Sequence, residues 1–484
     1  MPITEHFANL LCRLPLTLAL LFMGPNAASQ TATLTPGKVI ASVVVDSNPQ
    51  QSYALYLPST FTLARKWPII YVFDPLARGK VAVETIREAA EKFGYIVAAS
   101  NNSRNGPMGN SAQAADAMWA DTQRKLPIDE NRRYVSGMSG GARVATAIAL
   151  TCNCVAGVIA NAAGFQPQAV LPRGMKFAYF AAVGDADFNY PEFFTLRKRL
   201  ADAGARYRIS TFQGLHDWAP PPLWQEALNW MDLQAMASGT MPRDAARIQR
   251  SLQEEMKAAD DLQTKGDFLS AFRRYQSIVR DFEALAETAP ARARLSELGN
   301  DKRLKDQERE EQDDVSRQQQ LTGDASAKIQ AIDAEGIEAV DLVRLKGVLL
   351  DLKQQIAASA NPEDHKTLVL RRASAQLFAE CFEAGQASQE RKNYSAALIY
   401  FDLAAIGSRH PEWMHYQRAL IYAAMSNGKA VVAELKLAIA AGLRDPSVLD
   451  ADEFQPYHSQ PQFQALREEL AGRAQPEHTP DSQR

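Results

Sequence analysis

The stretch Gly137-Met138-Ser139-Gly140-Gly141 constrains the fold of this chain more than any other. It follows the apolar run Arg133-Tyr134-Val135-Ser136, which reads as a strand, and precedes Ala142 to Leu150, whose spacing predicts a helix. A chain that passes from strand to helix this quickly turns sharply and holds its central residue in a strained backbone conformation. Glycines at 137 and 141 fit that turn, because larger side chains there would collide with the neighbouring strand and helix. Such a unit belongs to a layered architecture in which helices cover a sheet. It also presents the Ser139 hydroxyl at the tip of that sheet.

A serine hydroxyl becomes a strong nucleophile only beside a base, most often histidine. Of 7 His, only His216 lies between the N-terminal leader and the end of the first α/β segment. His6 is in the leader, and His365, His410, His415, His458 and His478 lie far downstream. In a self-contained domain His216 is therefore the base. It sits in Gly214-Leu215-His216-Asp217-Trp218, after the strand-like Tyr207 to Phe212 and before a helical stretch from Pro222 to Ala235. A carboxylate should orient the imidazole. The apolar run Lys176 to Val183 ends in Gly184-Asp185-Ala186-Asp187, which puts Asp185 and Asp187 at the carboxyl end of a strand.

The rest of the first half alternates regularly. Extended runs are expected at 38–45, 52–57, 68–73, 95–99, 133–136, 156–160, 177–183 and 207–212. Helices are expected at 81–92, 111–125, 141–150, 191–202 and 222–235. Eight strands with helices interleaved after the first two imply a mostly parallel sheet covered on both faces, with the first hairpin as an antiparallel edge. After about residue 240 the β-branched runs vanish and Ala, Leu, Gln, Glu, Lys and Arg recur at helical spacing. Lys265-Gly266-Asp267-Phe268 is followed by Ala271 and Tyr275, and Lys392-Asn393-Tyr394 by Ala397 and Phe401. A third copy, Asn427-Gly428-Lys429 followed by Ala433 and Leu437, lacks the aromatic.

The first region resembles secreted α/β-hydrolases of the dienelactone hydrolase, feruloyl esterase and polyhydroxybutyrate depolymerase type. The likeness rests on Tyr56-Leu57-Pro58-Ser59, Trp67-Pro68, Arg133 through Ala142, Gly184 through Asp187, and Gly214 through His216, and it covers about residues 40 to 236. It implies an α/β-hydrolase fold with Ser139 on a nucleophile elbow and triad members in the chain order Ser, Asp, His. Asp187 is the favoured acid, because Gly184 to Pro191 matches the G-x-x-D-x-x-x-P loop of such esterases; Asp185 is the alternative. The resemblance places one oxyanion donor at the Gly140 amide and the other in the loop Asp74-Pro75-Leu76-Ala77-Arg78-Gly79. Pro75 has no N–H, so Leu76 or Ala77 must donate. The His-Gly-Gly type loop of many esterases is missing here, and dienelactone hydrolases proper use Cys as nucleophile. The polar loop Asn101 to Pro107 either lines the pocket or serves only as a turn. The second half resembles tetratricopeptide arrays, in which a small Ala lets paired helices approach closely.

Composition bounds the rest. A net charge of -3, with 46% hydrophobic and 23% charged residues, argues against nucleic acid as a general partner. Arg13 followed by the apolar Leu14 to Met23 and by Ala27-Ala28-Ser29 reads as a secretory signal, with no integral membrane segment elsewhere. The expected organisation is a signal at 1–29, a hydrolase domain at 36–240 and a helical hairpin at 245–300. A charged helix or linker at 301–323, helical repeats at 324–473 and a disordered tail at 474–484 complete it. Cys152 and Cys154 are spaced awkwardly for a disulfide and complete no zinc site, so buried thiols are expected. Together these features point to an exported serine hydrolase acting on small or oligomeric esters without metal or cofactor, with a protein partner or its own hydrolase domain on its repeats. A prolyl-oligopeptidase-like peptidase and a decayed hydrolase serving as a binding module are the alternatives.

Overall fold

The computed structural model describes residues 34–361 and 364–474, so the expected leader at 1–29 and the tail after residue 474 lie outside the described residues. The chain divides into two compact units, one extending to Gln312 and one beginning at Asp313.

The first unit is built on an eight-stranded sheet: β1 (Val39–Val45), β2 (Asn48–Tyr56), β3 (Trp67–Phe73), β4 (Ile96–Ser100), β5 (Ile128–Met138), β6 (Gly157–Asn161), β7 (Ala178–Gly184) and β8 (Tyr207–Phe212). Their spatial order is β1-β2-β4-β3-β5-β6-β7-β8. The pairs β1–β2 and β2–β4 are antiparallel and all the others parallel. Connecting helices are α1 (Gly79–Phe93), α2 (Met108–Lys125), α3 (Gly140–Cys152), α4 (Tyr190–Asp202) and α5 (Pro221–Ser238). Every residue of β3 is buried. Ile69, Tyr71 and Phe73 enter one core cluster while Ile70 and Val72 enter another, so the sheet is covered on both faces. This is the α/β-hydrolase fold. Most elements fall within a few residues of their expected bounds; β5 departs most, because its polar start at Asp129 to Arg132 hides its strand character.

One unforeseen feature lies at the C-terminal end of α3. Cys152 and Cys154 form a disulfide rather than two thiols. Asn153 between them adopts φ +44°, and that left-handed turn brings the two Cα atoms to 5.0 Å. Asn tolerates this conformation better than most residues, which is what makes so short a link accessible. Cys381, by contrast, is a buried thiol.

The same unit continues through α6 (Ala245–Thr264), α7 (Phe268–Phe282) and α8 (Ala289–Leu298). Leu233 and Met236 of α5 share a core with Ile248, Leu252, Tyr275 and Phe282 of these helices. Arg208 on the edge strand β8 is buried and meets Glu255 at 2.7 Å, Asp281 at 3.0 Å and Glu226 at 3.3 Å. These ion pairs tie the sheet edge to α5, α6 and α7.

A long helix, α9 (Lys302–Glu335), follows. The second unit is all-helical: α10 (Leu342–Ala358), α11 (His365–Glu390), α12 (Tyr394–Gly407), α13 (Pro411–Ala424), α14 (Gly428–Ala441) and α15 (Pro461–Ala474), with short 3-10 turns. Three helix–helix turns in the chain share one geometry. Gly266, Lys392 and Ser426 have φ of +85°, +61° and +58°. Each is followed by an Asx N-cap, namely Asp267, Asn393 or Asn427, whose side chain accepts an amide three residues on. Counting from these caps, Ala271 and Tyr275 correspond to Ala397 and Phe401, all buried. In the third copy the equivalent positions are Val431 and Leu435, not Ala433 and Leu437. Val431 and Leu435 are buried, whereas Ala433 faces solvent and Leu437 is half-exposed.

Candidate active site

Four loops at the carboxyl edge of the parallel strands assemble the site. The first is the turn from β5 into α3. Ser139 lies there at φ +53°, ψ −121°, far from ordinary L-residue conformations, and its amide donates to the carbonyl of Asn161 on β6 at 2.9 Å. The glycines around it are needed for different close approaches. A Cβ on Gly137 would lie 2.3 Å from the Gly141 carbonyl oxygen, across the turn. One on Gly141 would lie 2.0 Å from the carbonyl oxygen of Phe73, at the end of β3.

The second and third loops follow β7 and β8 and are fastened to each other. The Asp185 amide donates to Phe212 O at 2.8 Å, the Ala186 amide to Gly214 O at 2.9 Å, and the Gly214 amide to Asp185 Oδ1 at 3.0 Å. Gly184 permits this, since a Cβ there would sit 2.4 Å from the Gly214 carbonyl oxygen. Asp185 thus holds the backbone of the facing loop. Asp187, fully buried, places Oδ1 2.9 Å from Nδ1 of His216 and also accepts the Asn189 amide at 2.8 Å. Its Oδ2 is buried with no hydrogen-bond donor. The His216 ring stacks on Phe188, with centroids 4.1 Å apart, and keeps 19% of its side chain exposed.

The fourth loop follows β3. Asp74 is buried and accepts from Arg78 Nε and Nη2 at 3.0 and 2.9 Å and from the indole of Trp218 at 3.2 Å. Burial alone would raise its pKa, but the hydrogen bonds from Arg78 and the loop amides outweigh this and hold the carboxyl below its ordinary value. Asp74 therefore ties the β3 loop to the loop that carries His216. The Leu76 amide, the expected oxyanion donor, donates to Asp74 Oδ1 at 2.8 Å, and the Ala77 amide donates to Asp74 O at 3.2 Å.

Sequence reasoning missed several residues that organise this edge. Asn161 is a buried polar residue at the end of an apolar strand. Its Nδ2 donates to Gly137 O at 3.2 Å, and its Oδ1 accepts the Ala219 amide at 3.4 Å, bridging the serine turn to the histidine loop. Asn189 donates to Ala162 O at 2.8 Å. Behind the turn, Arg143 on α3 pairs with Glu192 on α4 at 2.8 Å and donates to Phe165 O. A polar residue closing an all-apolar run, such as Asn161, was the available signal. Among the described residues no group of three or more His, Cys, Asp or Glu is placed to hold a metal ion.

No protein-family profile and no curated protein sequence matches this chain. Solved structures do. S-formylglutathione hydrolase from Staphylococcus aureus is 15% identical over 37% of this chain and 90% of its own, with a TM-score of 0.31. A ferulic acid esterase is 18% identical over 40% of this chain and 95% of its own, with a TM-score of 0.33. The esterase LipW from Mycobacterium marinum is 16% identical over 40% of this chain and 82% of its own, with a TM-score of 0.34.

Proposed function

We propose that the chain is a serine hydrolase of carboxylic esters, with Ser139 as nucleophile, His216 as general base and Asp187 as the acid that orients it. The observation that carries this reading is the 2.9 Å contact between His216 Nδ1 and the buried Asp187, on the same sheet edge as the strained Ser139 turn. Ser139 Oγ attacks the acyl carbon while its proton passes to Nε2 of His216. The tetrahedral oxyanion takes the Gly140 amide as a donor. Collapse expels the alcohol, which receives the proton from Nε2, and leaves Ser139 acylated. Water, deprotonated by His216, then releases the carboxylic acid. Asp187 holds Nδ1–H so that Nε2 faces the reaction and stabilises the imidazolium that forms.

The helical hairpins, with their shared turn and small or apolar face residues, support a tetratricopeptide-like array offering a surface to a protein partner. The apolar stretch Leu14 to Met23 supports export, as does a disulfide outside any redox motif. Among the described residues no helix is long and apolar enough to cross a membrane.

A fluorophosphonate probe tests the nucleophile. Wild type should be labelled and Ser139→Ala should not; equal labelling of both overturns the assignment. Parallel assays on short acyl esters and peptide amides test the substrate class, with amide cleavage alone favouring a peptidase.

A further inference from the structure

An oxyanion needs a second donor beside the amide of the residue after the nucleophile, and in this fold it is ordinarily an amide of the loop after β3. Here the central amides of that loop are already engaged. Pro75 lacks an N–H, and the amides of Leu76, Ala77 and Arg78 all turn back on Asp74, at 2.8, 3.2 and 3.3 Å. Releasing the Leu76 amide would strip a buried carboxylate of one of its donors, which costs more than an ordinary loop adjustment.

Another donor stands beside the nucleophile. The Asn105 amide donates to Pro75 O at 2.8 Å, and Leu76 bridges Arg104, so the loop after β4 lies along the loop after β3. This carries the Asn105 side chain over the residue next to Ser139. A Cβ on Gly140 would lie 1.9 Å from Asn105 Oδ1, 2.9 Å from Cγ and 3.5 Å from Nδ2. The carboxamide therefore rests against the Gly140 Cα, and among the described residues it makes no hydrogen bond. A half-turn about its last torsion exchanges Oδ1 and Nδ2 in the same place. The contact also accounts for the third glycine of the turn, since any side chain at 140 would expel the carboxamide.

We infer that Asn105 supplies the second oxyanion donor, its Nδ2–H group acting with the Gly140 amide on the tetrahedral intermediate. The inference rests on Ser139 being the nucleophile. A side-chain donor on a solvent-exposed loop replaces the backbone donor that Asp74 has taken.

The test compares wild type, Asn105→Ala, Asn105→Asp and Ser139→Ala on p-nitrophenyl acetate, with fluorophosphonate labelling and thermal melts of each. Loss of the donor should lower kcat about 100- to 1000-fold with KM changed less than about threefold. The near-isosteric Asn105→Asp, which places a carboxylate where the oxyanion forms, should fall at least as far. Both variants should melt with wild type and still label at Ser139, more slowly. A kcat within threefold of wild type in Asn105→Ala, or a loss seen only in KM, overturns the inference while Ser139 labelling leaves the nucleophile standing. Failure of wild type to label overturns both.

Discussion

His216 and Asp187 meet at 2.9 Å where two loops are already joined by backbone hydrogen bonds, so their contact is preset by the chain path rather than by flexible side chains. Asp187 meets the facing loop through the His216 side chain, whereas Asp185 holds that loop's backbone through the Gly214 amide. The two aspartates therefore differ in consequence. Asp187→Asn should lower kcat on a short acyl ester about 10⁴-fold with little change in melting temperature, because the tautomer and charge of the base are lost while the fold is kept. Asp185→Asn should cost far less activity and show itself in stability. Steady-state kinetics beside thermal melts separate the two, and the reverse ranking would reassign the acid.

Gly184 offers a test of the loop junction without touching a reacting group. Alanine there puts a methyl 2.4 Å from Gly214 O and 2.5 Å from Leu215 O. The loops must part, costing about 1–3 kcal/mol of stability. His216 moves with its loop, so kcat should fall more than 100-fold, well beyond what the lost stability explains at assay temperature. Activity close to that of wild type would mean that the junction does not set the position of His216.

How far the sequence discloses this site follows from the range of each interaction. Gly137, Ser139 and Gly141 announce a strand-to-helix turn because its steric demands fall within five residues. His216 is legible through scarcity, being the lone histidine of its segment. The loops of Asn105 and Asp74 are legible as candidates for the rim, but the contacts of Asn105, Asp74 and Trp218 are not, since they are approaches between loops far apart in the chain: Asn105 to Gly140, and Trp218 to Asp74. The Cys152–Cys154 link was hidden for a local reason, the left-handed Asn153, which spacing alone does not reveal. In the third helical turn Gly428 drew the register two residues too far, whereas the cap residue Asn427 sets it.

Arg208 gives the fold a pH signature. It stands buried among Glu255, Asp281 and Glu226, and although burial alone would raise the pKa of Glu255, Arg208 and Arg274 hold it below the ordinary value. A depressed carboxylate contributes stability that is fully present above its unfolded pKa, near 4.3, and is lost as pH falls through the folded value. Wild type should thus be destabilised by acid only below about pH 4.5 at this cluster. Arg208→Met strips Glu255 and Asp281 of their buried cation, leaving only Arg274 and Arg280 beside them, and should cost about 3–5 kcal/mol at pH 7. Burial, which raises Glu255, is then opposed by Arg274 alone, so the deficit should shrink as pH drops from 7 to 5. Thermal melts across that range decide the matter, and a deficit independent of pH would remove the electrostatic account.

The cap-based register of the third helical turn can be checked by charge alone. Val431 and Leu435 are fully buried, packed with Ala438, Phe454 and Phe463, while Ala433 lies on the solvent face. Burying a carboxylate at 431 should cost more than about 3 kcal/mol, since the side chains packed with it in the core are apolar. Val431→Ala should cost about 2 kcal/mol through lost packing. Ala433→Asp should stay within about 0.5 kcal/mol of wild type, and Leu437→Lys likewise, because both positions already meet water. Urea unfolding of the full chain, followed by helical circular dichroism, measures all four. A penalty at Ala433 equal to that at Val431 would shift the buried stripe back by two residues and detach it from the Asn427 cap.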